Sequence, residues 1–429
     1  MNIGVVGLSH LGTVTSICFA SLGWDVVAVD ADQTQVSASG EGHAFPHEPK
    51  LKELLGSAGS RLGFTTDFGS LRRCSVVCIG VDTEPRGSDT SSTQRLDETI
   101  ARVVPHLSDG VALAVMSQIP VGFSRHLAES VKASRPGLNF ELCHWVETLV
   151  IGNAVERCLH PERIIIGTDS GQPLNSEPFH RLLSRFSCPV LWMSYESAEL
   201  TKQAINLYLA TSLTVANTLA DLCESSGADM REVVPALRQD RRIGQYAYLK
   251  PGLGFAGGNL ERDLLRLSAL GRRSGAEVGL VDYVLRYNAG RSAWVRRQLD
   301  RHIFPFVQVP RIGVWGLAYK KNTSSTLDSF AVRALKELAG KAELMAYDPA
   351  ASLPPELDGT VSQCGRWEAA SASDCLLVLT DWDEFADTDY QALRKGMKGP
   401  AVILDCVGIM DGRAAAAHGL RYVAVGASD

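Results

Sequence analysis

The chain lacks several features that would send its reading elsewhere. It has no apolar run near the roughly 20 residues that a membrane-spanning helix needs. Its apolar start, MNIGVVGLSHLG, has no basic segment before it and is broken by glycines. That start reads as a strand and turn, not as a signal peptide. There is no excess of positive charge: the formal net charge is −6. No broad basic field favours nucleic acid or a membrane surface, so a small anionic ligand would need a local site. The ten cysteines form no C-x-x-C pair and no zinc spacing. This fits a reduced, cytoplasmic, metal-free protein better than a disulfide framework. Low-complexity segments and short repeats are also missing.

What is there is α/β patterning. At 429 residues the chain is too long for one ordinary core, so two or three domains are expected. Short apolar strands are predicted at 2–7, 25–30, 74–82, 110–117 and 163–167, with helical spacing between them. Alternating helices and near-continuous apolar strands imply a parallel, doubly wound sheet. From 197 to 227 the apolar spacing becomes helical, with no internal Gly or Pro until the end. So long a helix is expected to join domains or build a dimer interface. A second α/β unit starts near Pro310, with "RIGVWGLAYK", "AELMAYDP", "DCLLVLTDW" and "AVILDCVG" as strands. The expected division is 1–196, a helical middle at 197–300, and 301–429.

"GLSHLG" follows the first strand and opens a helix. It fits the dinucleotide pattern G-x-G-x-x-G, with Gly7 for the tight turn and Gly12 for close helix packing. Ser9 takes the middle position, where the backbone approaches a pyrophosphate, and is a small replacement for glycine. Asp30 ends the second strand, placed to hold ribose hydroxyls and to favour NAD over NADP. The competing reading is a Rossmann-type domain that no longer binds cofactor.

The sequence resembles the UDP-glucose/GDP-mannose dehydrogenase family nearly end to end. "GLSHLG", "VDAD", "HEPKLKELL" and "CIGVDTEP" carry the resemblance in the first domain. "SQIPVG" resembles the family's S-T-V-P-x-G, and "WVETLVIGNAVERCLHPERIIIG" its P-E-F-L-R-E-G-x-A stretch. "AELTKQAINLYLA" matches A-E-x-x-K-x-x-x-N, "RIGQYAYLKPGLGFAGGNLERD" the segment with G-F-G-G-S-C-x-x-K-D, and "GLAYKKNTSSTLDS" the G-L-A-F-K stretch. The resemblance implies two Rossmann-like domains joined by a long central helix that also forms a homodimer. It implies NAD, a nucleotide-sugar substrate, and oxidation of a sugar alcohol to a carboxylate through a cysteine thioester.

By resemblance, Gly7, Leu8, Ser9, Leu11, Gly12, Asp30, Thr83 and Gln118 hold the cofactor. Lys202 and Asn206, one helical turn apart, face the sugar; otherwise they are a solvated lysine and a cap-like asparagine. Asp263 orders a catalytic water with the lysine, or it caps a helix starting at "LLRLSAL". Glu147 works as acid or base, or is an ordinary strand-end residue. Thr148, Leu149, Arg242, Tyr248, Leu249, Lys250, Gly254, Phe255 and Lys320 fall at substrate-holding positions, with Arg242 reaching a neighbouring subunit.

The departures cluster on one half of the reaction. Asn259 stands where the family has its cysteine, Ile151 replaces the second acid, Gln118 replaces a threonine, and Arg262 replaces a lysine. Leu327 and Val407 stand where the family has arginines. Cys143, within a strand, reads as inert packing. An amide forms no thiohemiacetal. The expectation is therefore a nucleotide-sugar oxidoreductase without the acyl-enzyme step, giving an aldehyde, ketone, epimer or elimination product. The alternatives are an ordinary four-electron dehydrogenase with another nucleophile, and a non-catalytic binding relative.

Overall fold

The computed structural model describes residues 1–45, 48–83 and 93–427. The chain divides into two compact units, Met1–Ile205 and Asn206–Asp429.

Unit 1 is built on an eight-stranded sheet, in the order β3-β2-β1-β4-β5-β6-β7-β8. The strands are β1 (Asn2–Val6), β2 (Asp25–Val29), β3 (Leu62–Thr65), β4 (Val76–Ile79), β5 (Val111–Val115), β6 (Phe140–Trp145), β7 (Ile164–Thr168) and β8 (Val190–Ser194). Neighbours from β1 to β6 pair in parallel. β4 and β5 are buried at every position, as helices on both faces of a sheet require. The strand β7 pairs antiparallel with β6, then parallel with β8. After β6 the chain turns back through a short helix, Ala154–Leu159, and antiparallel pairing needs no crossover.

Unit 2 carries a six-stranded, all-parallel sheet in the order β11-β10-β9-β12-β13-β14. Its strands are β9 (Arg311–Trp315), β10 (Glu343–Tyr347), β11 (Val361–Gln363), β12 (Cys375–Val378), β13 (Val402–Asp405) and β14 (Arg421–Ala424). The helical stretch before it belongs to the same core: Trp294, Leu299 and Ile303 pack in one cluster with Ile312, Val314 and Leu335.

The two sheets share a device that is hard to see as a sequence repeat. The first strand of each ends at a glycine in the left-handed region, Gly7 (φ 90°) and Gly316 (φ 99°). The next N–H, of Leu8 or Leu317, donates to the carboxylate that ends the second strand, Asp30 or Asp348, at 2.7 Å in both. A short buried hydrogen bond thus closes each turn against its neighbouring strand.

Three helices position the candidate residues. α1 (His10–Ser21) follows the glycine loop. α2 (Tyr195–Ser226) runs 32 residues, close to the expected 197–227, and continues from one unit into the other. Within unit 2 its Tyr208, Val215 and Leu222 recur every seven residues and are 76%, 50% and 57% exposed. α3 (Asn259–Ser274) starts after Gly257 and Gly258, both at positive φ. Both are glycine for conformation, and Gly257 also for room: a Cβ there would lie 2.6 Å from the Tyr319 ring. Among the described residues, no helix is long and apolar enough to cross a membrane.

Candidate active site

In unit 1 the glycine loop is set by close packing. A Cβ at Gly12 would meet the Gly7 carbonyl oxygen at 1.7 Å, and one at Gly7 would meet Val81 at 2.7 Å. Ser9 is the N-cap residue of α1, but its hydroxyl donates to the Gly80 carbonyl at 2.7 Å instead of capping the helix. That bond ties the loop to the end of β4. Leu8 and Leu11 are core residues: Leu8 packs with Ala28 and Val36, and Leu11 joins the main cluster of the sheet. Asp30 is buried, and its carboxylate accepts Leu8 N–H and Asp32 N–H. Beside it a cavity of about 150 Å³ is lined by Gly7, Asp30, Asp32, Phe68 and Val81.

Thr83 and Gln118 are brought together, the Thr83 hydroxyl donating to the Gln118 carbonyl at 3.1 Å. The buried Oε1 of Gln118 has no hydrogen-bond partner among the described residues. An orphaned acceptor, a glycine cradle and a carboxylate beside a cavity are what a nicotinamide dinucleotide requires of this loop. His47 of "HEPKLKELL", and Glu84 and Pro85 of "CIGVDTEP", lie outside the described residues.

Glu147 follows β6 and meets Lys202 of α2. The Lys202 ammonium donates to the Glu147 carbonyl at 2.8 Å and lies 3.5 Å from its carboxylate. Both side chains are nearly nine-tenths buried, so Lys202 is not a solvated surface lysine. Leu149 N–H donates to the same carboxylate, and Arg157 holds the Thr148 carbonyl at 2.9 Å. His144 lies on β6 just before this segment. Burial pushes its pKa down to about 4, against the hydrogen bond to the Val115 carbonyl and with help from the nearby Lys202 charge. It is neutral at ordinary pH.

Two contacts escaped the sequence. Glu48 accepts Gly152 N–H and Ala154 N–H, each at 2.7 Å, and lies 2.9 Å from His10 Nε2. Burial pushes the Glu48 carboxyl up, but His10 and the two N–H donors outweigh it and leave the pKa below its ordinary value. The ionised Glu48 thus pins the segment after Glu147 to the first residue of α1. Glu199, beside Lys202 on α2, accepts Gly122 N–H and Ser124 N–H at 2.6 and 2.7 Å, fixing the "SQIPVG" turn. Both are acids inside recognisable motifs, but their partners lie 38 to 106 residues away, beyond any spacing rule. A cavity of about 950 Å³ in this unit is lined by residues of 93–105 and 123–135 and contains none of the candidates.

In unit 2, Asn206 donates from Nδ2 to Asp263 Oδ2 at 2.5 Å. Asp263 is only 1% exposed and lies inside α3, whose N-cap is Gly258, so it does not begin a helix. Asn206 is likewise mid-helix on α2, not a cap. Arg266 places Nη1 3.7 Å from Asp263 Oδ1. Burial pulls the Arg266 pKa down to about 10, with Asp263 opposing, so the guanidinium stays charged. Asn259 opens α3 and is exposed; its Oδ1 accepts from Arg262 Nη2 at 2.9 Å.

The substrate-loop candidates have an ordered frame. The Asn288 amide bonds the Phe255 backbone in both directions, at 2.8 and 3.0 Å. Gly254 has φ 104°, and a Cβ there would meet Asn288 Oδ1 at 2.2 Å. Leu249 and Phe255 are buried, while Tyr248 is exposed. Lys250 pairs loosely with Asp381 at 3.8 Å, and Lys320 lies over the Tyr319 ring. Arg242 is 89% exposed and paired with Asp240 two residues back. Leu327 is exposed, and Val407 packs at the edge of a core cluster. Cys143 is fully buried in β6, and burial raises its thiol well above the ordinary range. Among the described residues no cluster of His, Cys, Asp and Glu could hold a metal ion.

Comparison with known proteins was made by family, by sequence and by structure. Three family models match in order: the NAD binding domain of the UDP-glucose/GDP-mannose dehydrogenase family over 1–183, its central domain over 196–290 and its UDP binding domain over 313–412. A UDP-glucose 6-dehydrogenase of Rhizobium meliloti is 32% identical, covering 100% of both chains. Another, of Haloferax volcanii, is 32% identical over 92% of this chain and 95% of its own. In structure, a UDP-glucose dehydrogenase of the hyperthermophilic archaeon Pyrobaculum islandicum matches with a TM-score of 0.88 at 25% identity, covering 100% of this chain and 98% of that one.

Proposed function

The chain belongs to the UDP-glucose/GDP-mannose dehydrogenase family, and we propose that it oxidises the alcohol of a nucleotide sugar with NAD but without a thioester intermediate. The observation that carries this reading is the side chain at position 259. It is an amide, bonded to Arg262, at the start of the helix that carries Asp263. An amide cannot capture an aldehyde as a cysteine thiolate does. Of the ten cysteines, all free, seven are buried and Cys158, Cys188 and Cys364 are half-buried.

NAD, when bound, supplies the hydride acceptor. Gly7, Ser9 and Gly12 shape its loop, Asp30 faces its ribose, and Gln118 offers an acceptor to its nicotinamide amide. The Lys202 ammonium stabilises the negative charge that develops on the sugar oxygen. Asp263, fixed by Asn206, orients the water that takes the departing proton. Leu249, Phe255 and Lys320 hold the nucleotide sugar, and the exposed Arg242 exchanges its pairing with Asp240 for a contact to a second subunit. The division of labour follows 1–196 for cofactor, 197–300 for assembly and 301–429 for nucleotide sugar. The cysteine usage fits the cytoplasm.

The test is incubation with NAD and a panel of UDP- and GDP-sugars, read by NADH absorbance and mass spectrometry. The expected product has lost two hydrogens with one NADH formed, or is an isomer with none. The relatives named UDP-glucose 6-dehydrogenases favour a second reading, the ordinary four-electron oxidation. A uronate with two NADH per sugar would establish that reading instead.

We also propose a homodimer built on α2. Three large apolar side chains on one stripe, all at least half exposed, are costly to leave in water. Leu222→Glu is expected to convert a dimer to a monomer in size-exclusion chromatography with light scattering. A parent that elutes as a monomer would reject the interface.

A further inference from the structure

The Asn259–Arg262 pair carries more than the absence of a cysteine. Asn259 is the first residue of α3 and is exposed; Arg262, three residues on, is buried beneath it. Their hydrogen bond, 2.9 Å from Arg262 Nη2 to Asn259 Oδ1, settles a choice that is open for most asparagines. A guanidinium has donors and no acceptor, so only the amide oxygen can face it. The Asn259 NH₂ group must then turn away from Arg262 and into the space outside the helix. A buried cation therefore holds an exposed amide in one orientation.

We propose that Arg262 is a positioning residue, which fixes Asn259 so that its Nδ2–H donates to the reacting oxygen of the sugar. The inference rests on the reading of the chain as a sugar-alcohol oxidoreductase. In that reaction the alcohol carbon gives a hydride to NAD⁺ and its hydroxyl gives a proton to solvent, leaving a carbonyl, NADH and one proton. The oxygen gains negative charge as the O–H bond breaks. A donor already aimed at it strengthens as the charge develops, and no reorientation is needed during the step. The side chain at the family's nucleophile position thus becomes a hydrogen-bond donor to oxygen and makes no bond to carbon. The start of α3 has no side-chain cap, and its positive dipole end acts in the same sense.

The experiment compares the full-length parent with Asn259→Ala, Asn259→Asp, Arg262→Met, Arg262→Lys and the Asn259→Ala/Arg262→Met double variant. Each is given NAD and the panel of UDP- and GDP-sugars. Loss of one such donor is expected to lower kcat by about 10²-fold with KM close to the parent's. Asn259→Asp keeps the Arg262 contact but presents an acceptor, so it should fall at least as far as Asn259→Ala. Arg262→Met should match Asn259→Ala, the double variant should be no worse than either, and Arg262→Lys should recover most of the loss. Asn259 is exposed, so its variants do not depend on Arg262 tolerating replacement. If Asn259→Ala keeps kcat within twofold of an active parent, the inference fails while the functional reading stands. Losses that add fully in the double variant would make Arg262 merely structural and overturn its positioning role. A parent that forms no NADH with any sugar would overturn the functional reading and this inference together.

Discussion

Asp263→Ala is expected to lower the melting midpoint of unit 2 more than any other single change at the candidate site. The carboxylate is almost fully enclosed and serves two partners: the Asn206 amide at 2.5 Å and the Arg266 guanidinium at 3.7 Å. Alanine leaves a buried donor without its acceptor and a buried cation without this carboxylate. Breaking a buried ion pair from one side costs about 3–5 kcal/mol, because the surviving charge stays out of water. For a unit of this size that is a fall on the order of 10 °C. Asp263→Asn keeps an acceptor for Asn206 and loses only the charge, so it should lie between the two. Differential scanning calorimetry reads the comparison. A melting curve for Asp263→Ala superimposed on the parent's would show that the pair contributes nothing.

Lys202→Met is expected to have the largest effect on turnover, a fall of about 10²–10³ in kcat, the range found when one charge-stabilising donor is removed. Methionine keeps most of the length and apolar contact of the lysine stem. It removes the ammonium that lies beside Glu147 and its carbonyl. His144 cannot take over, because burial keeps it neutral until about pH 4. NAD affinity, measured by isothermal titration, should stay near the parent's, since the glycine loop and Asp30 make their contacts elsewhere. A Lys202→Met variant that turns over within threefold of the parent would place charge stabilisation on another group.

Much of this arrangement was legible in the sequence, and the reasons are local. The loop of Gly7 and Gly12 was readable because each glycine answers a steric demand within a few residues or on the adjoining strand. Lys202 and Asn206 were readable as sharing one helix face, because residues four apart do so, but their partners were not. Asn259 was readable as a departure because it interrupts a long ordered motif. His10–Glu48, Glu199 with the turn at Gly122, and Asn288 with Phe255 were not readable. Each joins segments 33 or more residues apart, and no periodicity of helix or strand encodes such a meeting. The reversal of β7 was hidden for a related reason: an apolar strand buried on both faces reads the same in either direction.

The sequence by itself determined the two α/β units, the long helix, the dinucleotide loop and the amide at position 259. Those features follow from residue type and short-range spacing, which the backbone translates directly into strand, helix and turn. Only the tertiary structure decided that Lys202 is buried against Glu147 and that Asp263 lies within a helix between Asn206 and Arg266. It alone showed Asn259 clamped by Arg262. Those facts depend on which distant side chains exclude water from one another, and burial is what turns an ordinary charge or amide into a fixed one.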